Sequence, residues 1–311
     1  MLVGHQEQRA AFEAAWRSGT PHHAWLLTGP TGIGKRTFAT AAAKMVLSGS
    51  QDFAGADGSE ASAKVDSDAH PDLRTLVKTI NEKTGKLRTE IIVDDTRKAV
   101  KVLSSHASLS DWRVILVDSA CEMNRNAANA LLKNLEEPPR KTIFFLVCHN
   151  PGKLLPTIRS RCRALAFKAL SDDDVAAVLA RHLDEPVEPE LLRAARGSPG
   201  RALRYHGLEV PDMMLSINAM RVAKGQGAAQ LAGSLSAKLG QKGAHERYEA
   251  FLELVPSILA DAAKRGPPDG LEGAIALWEE ARDLAGSAPA RALDPTATAY
   301  QLARLVSRAR L

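Results

Sequence analysis

Cysteine is scarce in this chain of 311 residues, and its three cysteines lie far apart at Cys121, Cys148 and Cys162. No Cys-x-x-Cys pair is present, so the spacing supports no zinc knuckle. Each cysteine flanks or lies within an apolar run, which favours the role of a small buried hydrophobic side chain. We therefore predict no metal site and expect no zinc.

Long apolar runs are also missing. No segment approaches the roughly 18–20 apolar residues that span a bilayer, and the first ten residues lack the apolar region of a secretion signal. We therefore expect a cytoplasmic protein that makes no contact with a membrane. Hydrophobic residues form 45% of the chain and charged residues 25%, which is typical of a globular protein with two or three domains. The net charge of +5 permits contact with nucleic acid or an acidic partner and demands neither.

Short apolar runs alternate with amphipathic or alanine-rich segments in the first half of the chain. This alternation predicts a parallel sheet covered by helices on both faces. The predicted strands are Ala24–Thr28, Leu73–Val77, Arg113–Val117, Thr142–Val147 and Arg163–Phe167. The predicted helices are Thr37–Leu47, Asp94–Leu103 and Asn126–Leu135. Between them, Ser48–Asp68 has few large apolar residues, so we predict a surface loop or mobile insertion there.

Strand signals stop after Phe167, and the remainder is helical in pattern. The predicted helices are Asp172–Leu183, Glu188–Arg196, Tyr248–Ala263, Leu271–Leu284 and Thr296–Arg308. The run Gly-Ser-Pro-Gly at 197–200 interrupts the first group of these helices. We predict three domains: an α/β unit at 1–167, a small helical module at 168–207 and an all-α domain at 208–311.

A phosphate-binding loop connects the first predicted strand to a helix. Its sequence from Gly29 to Thr37 is GPTGIGKRT, and a strand before it and a helix after it are the context that this motif requires. Lys35 would reach the β- and γ-phosphates of a nucleotide, and the helix N-terminus favours negative charge. The glycines that let backbone amides surround a phosphate are Gly29, Gly32 and Gly34. The alternative is a glycine-rich turn that binds no ligand.

Two positions that ATP hydrolysis needs have been replaced. Arg36 follows the lysine where a Ser or Thr hydroxyl would bind Mg²⁺, and a guanidinium has no acceptor atom. Thr37 lies about 100° further around the helix and is a poor substitute. Asp118 ends an apolar strand, as a metal-binding aspartate would, but Ser119 stands where AAA+ motors carry a glutamate. Two alternatives remain open for the loop: ATP or ADP bound without hydrolysis, or no nucleotide.

Four further segments carry a family resemblance. They are NRNAANALLKNLEEPP from Asn124, LLPTIRSRC from Leu154, GSPGRAL from Gly197 and HAWLL from His23. Together they resemble bacterial clamp-loader subunits of DNA polymerase III, which are AAA+ proteins. The segment KTGKLRTEI from Lys83 and the replaced ATP-site residues are similar to the delta-prime branch of that family. The resemblance implies an α/β AAA+ core, a helical lid and a helical collar. Relatives often carry a zinc-binding cysteine cluster after the loop helix, but the matching region here has no cysteine.

The resemblance gives roles to two arginines. Arg161 of the Ser-Arg-Cys element would project into the ATP site of a neighbouring motor subunit as an arginine finger. From the residues alone, a generic basic surface is the alternative, because Arg159 and Arg163 flank it. Arg201 matches a position that contacts the γ-phosphate in ATP-using relatives, and a local bond at a helix start is the alternative. Asn150 either orients a water molecule or forms a turn.

The implied function is that of a non-motor, stator-like subunit of the clamp loader. Its implied partners are the motor (tau/gamma) and delta subunits, the sliding clamp and, within the complex, primed DNA. We expect no independent ATPase or polymerase activity, although the complex is part of a DNA-directed DNA polymerase holoenzyme. One alternative is an ATP-hydrolysing AAA+ motor subunit, which Arg36 and Ser119 disfavour. Another is a DNA-binding module that acts alone, for which the sequence offers no helix-turn-helix.

Overall fold

A computed structural model describes residues 2–104, 106–223 and 225–309. The chain divides into two compact units by its internal contacts. The first unit contains the residues up to Asp174 together with Gly197–Gly200, and the second contains Val175–Arg196 and the chain from Arg201 onward. The three domain boundaries given above remain a prediction. Within the described residues, no helix has both the length and the apolar character needed to cross a bilayer.

A parallel sheet forms the centre of the first unit. Its strands are β1 Ala24–Thr28, β2 Leu73–Leu76, β3 Arg113–Asp118, β4 Thr142–Cys148 and β5 Arg163–Ala166. They lie in the order β2-β3-β4-β1-β5, with Ala24 opposite Phe144 and Trp25 opposite Arg163. The predicted strands are confirmed, with ends that differ by one residue at most. The order brings the carboxyl ends of β1, β3 and β4 side by side, which places the phosphate loop beside Asp118.

Helices cover both faces of this sheet, as the sequence predicted. They are α1 Gln6–Arg17, α2 Lys35–Ser48, α3 Phe53–Ala56, α4 Glu60–Asp66, α5 Val93–Lys101, α6 Arg125–Glu136 and α7 Pro156–Arg159. One core joins Phe12, Trp25 and Phe38 on one face, and a second joins Leu26 and Leu131 on the other. Alternate residues of β1 enter the two cores because successive strand side chains point to opposite faces.

The prediction of an exposed loop at Ser48–Asp68 is wrong. This segment contains α3 and α4, and the side chains of Asp52 and Ser59 cap these helices by accepting amide hydrogen bonds. Phe53 and Val65 are buried in the core against α2. A few apolar residues, correctly spaced and preceded by good N-caps, are sufficient to fold a segment of low average hydrophobicity.

The second unit is helical, as the sequence predicted. Its helices, with two that begin in the first unit, are α8 Asp172–Leu179, α9 Pro189–Ala195, α10 Pro199–Tyr205, α11 Val210–Val222, α12 Gln226–Leu239, α13 His245–Arg265, α14 Leu271–Ser287 and α15 Pro295–Arg308. Phe251, Ile217 and Leu302 are fully buried within it. Arg204 donates two hydrogen bonds of 2.9 Å to the carboxylate of Glu253, a bidentate pair that joins α10 to α13.

Candidate nucleotide site and candidate arginine finger

The phosphate loop joins β1 to α2 through a backbone that needs glycine at two points. Gly34 is the N-cap of α2 with a φ of 98°, a conformation that residues with a Cβ rarely adopt. Gly29 has a φ of 143°, and a Cβ there would lie 2.3 Å from the carbonyl oxygen of Phe167. Gly29 and Gly34, two of the three glycines singled out in the sequence, are therefore required by the shape of the loop itself.

Six consecutive carbonyl groups of this loop, at residues 29–34, accept hydrogen bonds from within the first unit. The donors, in order along the loop, are Lys35 Nζ to Gly29 (2.7 Å) and Pro30, Ser198 Oγ to Thr31 (3.0 Å), the Gly200 amide to Gly32 (2.9 Å), His5 Nε2 to Ile33 (2.7 Å) and the Phe38 amide to Gly34 (2.9 Å). The loop conformation is therefore fixed by the protein, without help from a ligand.

The Gly-Ser-Pro-Gly run at 197–200 belongs to this site. Besides the two bonds from Ser198 and Gly200, its backbone approaches the loop so closely that a Cβ on Gly200 would lie 3.0 Å from Gly32 Cα. The sequence identified this run as a helix breaker and as part of the family resemblance. Only the folded chain places it against the phosphate loop.

His5 is a contributor that the sequence analysis missed. Its ring is buried and packs edge-on against Phe167 at a centroid distance of 4.8 Å. Burial lowers the pKa of His5, although the bond to Ile33 and the charge of Asp174 act in the opposite direction. Because a carbonyl only accepts, Nε2 carries the proton of the neutral ring. No motif signals this role, since His5 and Ile33 are 28 residues apart.

Lys35 and Arg36 occupy different surroundings although they are adjacent. The Lys35 side chain is buried beneath the loop, and burial lowers its pKa against the opposing charge of Asp118. Arg36 is half exposed, and its Nη1 lies 3.0 Å from Oδ2 of Asp118. The two positions that would hold Mg²⁺ in an active site of this class therefore pair with each other. Thr37 is exposed on the first turn of α2.

Ser119 has contacts unlike those of a general base. Its Oγ lies 3.2 Å from each of three groups: the Val147 carbonyl, His149 Nδ1 and Cys121 Sγ. The next carboxylate along the chain, that of Glu122, pairs with Lys78 at 3.0 Å. The position of the water-polarising acid is therefore taken by a hydroxyl whose partners are a carbonyl, an imidazole and a thiol. Cys121 and Cys148 are buried, as predicted for all three cysteines, whereas Cys162 is only half-buried.

Arg161 follows α7 and is held by three acceptors of its own chain. Its Nη2 lies 2.8 Å from Oε1 of Glu136, and its Nη1 donates to the Thr157 carbonyl at 2.9 Å and to Ser160 Oγ at 3.4 Å. Glu136 is the last residue of α6 and belongs to the Leu-Glu-Glu-Pro-Pro element, so two of the family segments meet here. About a third of the Arg161 side chain is exposed. Its neighbour Arg163 stacks on Trp25 with 5.0 Å between guanidinium carbon and ring centroid.

The structure thus brings most of the predicted site residues together in the first unit. The glycines, Lys35 and Asp118 surround the phosphate loop, whereas Arg161 contacts Glu136 and Thr157 instead of the loop. Arg201 lies in α10 within the second unit, and its contact with a γ-phosphate remains a prediction. Asn150 lies in a turn after β4, where its carbonyl accepts the Lys153 amide at 3.1 Å.

Comparison with known proteins decides the family. The family described as DNA polymerase III, delta subunit, matches residues 4–171. The DNA polymerase III subunit delta' of Pseudomonas aeruginosa is 41% identical over 199 residues, which cover 63% of this chain and 59% of that protein. The corresponding subunit of Escherichia coli is 31% identical over 258 residues, 81% of this chain and 73% of that protein. The chain belongs to the delta-prime family of clamp-loader subunits.

Two further comparisons place this delta-prime chain among its wider relatives. The gamma/tau subunit of Mycobacterium tuberculosis is 29% identical over 90% of the chain, which spans 53% of the length of that protein. A gamma subunit-related protein from Thermotoga maritima has the same fold, with a TM-score of 0.50 and 14% identity over 98% of each chain. The predicted AAA+ fold with a helical C-terminal half is therefore confirmed.

Proposed function

We propose that this chain is the non-motor, stator-like subunit of a clamp loader and that Arg161 acts in the ATP site of a neighbouring subunit. Its partners would be the motor (tau/gamma) and delta subunits, and the assembly would place a sliding clamp on primed DNA. The observation that carries the proposal is the contrast between a disabled site in the chain itself and an oriented, partly exposed arginine elsewhere.

Hydrolysis by the chain itself is disfavoured by the contacts of three residues. Arg36 forms an ion pair with the carboxylate of Asp118, and Ser119 provides a hydroxyl where a hydrolytic site needs an acidic side chain. Phosphoryl transfer depends on neutralising charge and orienting water, so the loss of both elements should slow it by orders of magnitude. The competing function, that of an ATP-hydrolysing motor subunit, needs both.

A role for Arg161 outside its own chain is supported by how its guanidinium is held. The bonds to Glu136 and Thr157 fix the group in one orientation while a third of the side chain stays exposed. An arginine finger works by presenting a preorganised, permanently charged fork to phosphate oxygens. The neighbouring Arg163 is engaged on Trp25, which leaves Arg161 as the better candidate on this segment.

The phosphate loop would serve as a site that binds ATP or ADP without hydrolysis. Its conformation is already set by the six internal carbonyl bonds, so a nucleotide would not have to order it. The residues of the first unit proposed to surround the phosphates are Gly29, Gly32, Gly34, Lys35, Thr37 and Asp118. DNA contact would arise in the assembled complex through backbone phosphates and would weaken with salt.

The test is ATP turnover in a complex reconstituted with motor and delta subunits. Arg161→Ala should lower turnover by at least about tenfold at the one ATP site that Arg161 serves, since an arginine finger is worth roughly 10³–10⁵ at a fully dependent site. Sites that keep their own arginine should continue to turn over, so the turnover of the whole complex should fall by the share of that one site. Assembly, measured by size-exclusion chromatography, should be unchanged. Arg159→Ala is the matched control, because Arg159 is exposed on the same segment.

Turnover that is unchanged in the Arg161→Ala complex, or lowered equally by Arg159→Ala, would remove the finger assignment. The motor alternative has its own measurement. If the isolated chain hydrolysed ATP with Mg²⁺ as fast as the motor subunits do, the stator proposal would be wrong.

A further inference from the structure

The residues at the end of β3 and the start of α2 do not fit a Mg²⁺ ion. AAA+ relatives that hydrolyse ATP bind this ion through the hydroxyl after the loop lysine and the aspartate that ends the strand. Here these positions are Arg36 and Asp118, and Nη1 of one lies 3.0 Å from Oδ2 of the other. Mg²⁺ needs oxygen ligands at about 2.0–2.1 Å in an octahedral arrangement. A guanidinium offers no lone pair and would repel the ion.

We infer that Arg36 is a built-in replacement for the divalent cation, so that the phosphate loop holds the phosphates of a nucleotide without Mg²⁺. This inference rests on the proposed occupancy of the loop by ATP or ADP. Its ligand is a nucleoside diphosphate or triphosphate free of metal. Its chemical basis is that one fixed cation on the protein takes over both tasks of the ion, neutralising Asp118 and attracting phosphate oxygens.

The guanidinium is suited to both tasks. It carries five N–H donors in a planar fork and stays charged at any physiological pH. The contact with Asp118 uses Nη1, and about half of the Arg36 side chain is exposed. A phosphate held beside Lys35 could therefore accept bonds from the same group. Without Arg36, the unpaired carboxylate of Asp118 would repel a nucleotide, and a divalent cation would be needed to offset that repulsion.

An ordinary surface ion pair is the competing explanation for the Arg36–Asp118 contact. Partly exposed pairs contribute little to folding, so a purely structural role predicts small changes for any substitution at either residue. The position of this pair favours a role in the phosphate site over a purely structural one. It joins the two sites at which a metal-dependent relative would have its ligands, beside a loop whose carbonyls are all bonded internally.

The experiment measures ADP binding to the full chain by isothermal titration calorimetry, once with excess EDTA and once with excess Mg²⁺. The wild type should give the same Kd in both buffers, to within about twofold. Arg36→Thr should bind ADP more weakly in EDTA, because Asp118 is no longer neutralised. Added Mg²⁺ should then tighten its binding by about tenfold or more, since the threonine hydroxyl and Asp118 recreate a metal site.

Two controls isolate the metal site. Arg36→Thr combined with Asp118→Asn should lose the response to Mg²⁺, because the carboxylate ligand is gone. Arg17→Thr should behave as the wild type, since it removes another partly exposed arginine that pairs with a carboxylate, Glu13 on α1. Thermal melts of every variant confirm that the chain remains folded.

Three results would overturn the inference. The first is wild-type affinity that rises about tenfold with Mg²⁺, and the second is an Arg36→Thr chain that ignores Mg²⁺. The third is a wild-type chain that binds ADP in neither buffer, which would also remove the proposed occupancy of the loop. None of these results bears on Arg161, whose role is measured by turnover in the complex, so the two failures are distinguishable.

Discussion

Arg36 and Arg161 are both partly exposed arginines of the first unit, and each pairs with one carboxylate, at 3.0 Å for Asp118 and 2.8 Å for Glu136. The two ion pairs have different consequences because the two carboxylates lie in different places. Asp118 ends a central strand at the phosphate loop, so its pairing removes a ligand from metal chemistry. Glu136 ends α6 outside the loop, so its pairing only orients the guanidinium. An arginine can therefore remove a carboxylate from a metal site or simply have its own guanidinium oriented, depending on which carboxylate it contacts.

We expect the largest effect on ATP turnover from substitution of Arg161, the proposed arginine finger. Arg161→Lys keeps the positive charge but loses the planar fork, so turnover at the ATP site that Arg161 serves should fall by about tenfold or more. ATP affinity should change much less than turnover, because the finger acts mainly on the transition state. Turnover equal to that of the wild-type complex would mean that charge alone is sufficient there.

A smaller effect is expected from the carboxylate that orients Arg161. Glu136→Gln keeps the shape of the side chain but weakens the pair, and turnover should fall about threefold, the size of an exposed ion pair. In an Arg161→Ala background the same substitution should add nothing, because the two residues act as one unit. Glu137→Gln, next to it in the same motif, is the matched control. A loss of equal size in the Arg161→Ala background would show that Glu136 acts by another route.

We expect the smallest effect from His5, which contacts the phosphate loop, and this effect on folding stability appears only at acidic pH. Burial lowers the pKa of His5 from its ordinary value near 6.5. Below that pH the His5 ring is therefore protonated in the unfolded chain while it stays neutral in the folded chain. Stability should therefore fall as the pH drops from about 7.5 to about 5.5, by at most about 1.4 kcal/mol per pH unit from this group.

His5→Gln should make that fall less steep, because glutamine does not titrate and its amide nitrogen reaches the position from which His5 Nε2 donates to Ile33. Any cost of placing glutamine in the left-handed conformation (φ 58°) is the same at both pH values and does not change the slope. Urea unfolding at the two pH values measures the difference. Burial also lowers the pKa values of the half-buried His23 and the buried His70, so part of the dependence should remain. A variant whose stability falls in parallel with the wild type would show that His5 does not hold the loop in its neutral form.

The sequence was a good guide to the strands and to the phosphate loop. Three apolar runs became the central strands β1, β3 and β4, because a strand buried on both faces needs an apolar stretch, while the edge strands β2 and β5 are more mixed in sequence. Gly29–Thr37 carries its own conformational signals. It was a poor guide at Ser48–Asp68, where composition suggested a loop. Asp52 and Ser59 are typical N-cap residues that indicate helix starts there, but a prediction based on average hydrophobicity does not take them into account.

The features that could be predicted from the sequence are therefore mostly local: the strands, the loop and the identities of the residues at the metal and water positions. The contacts that those residues make depend on the tertiary structure. Arg36 and Asp118 are 82 positions apart, and Glu136 and Arg161 are 25 apart. Strand order places Asp118 beside α2, while the packing of α6 against α7 brings Glu136 to Arg161. A side chain's type limits the contacts it can make, but the pairing of distant residues depends on the fold that brings them within a few ångströms.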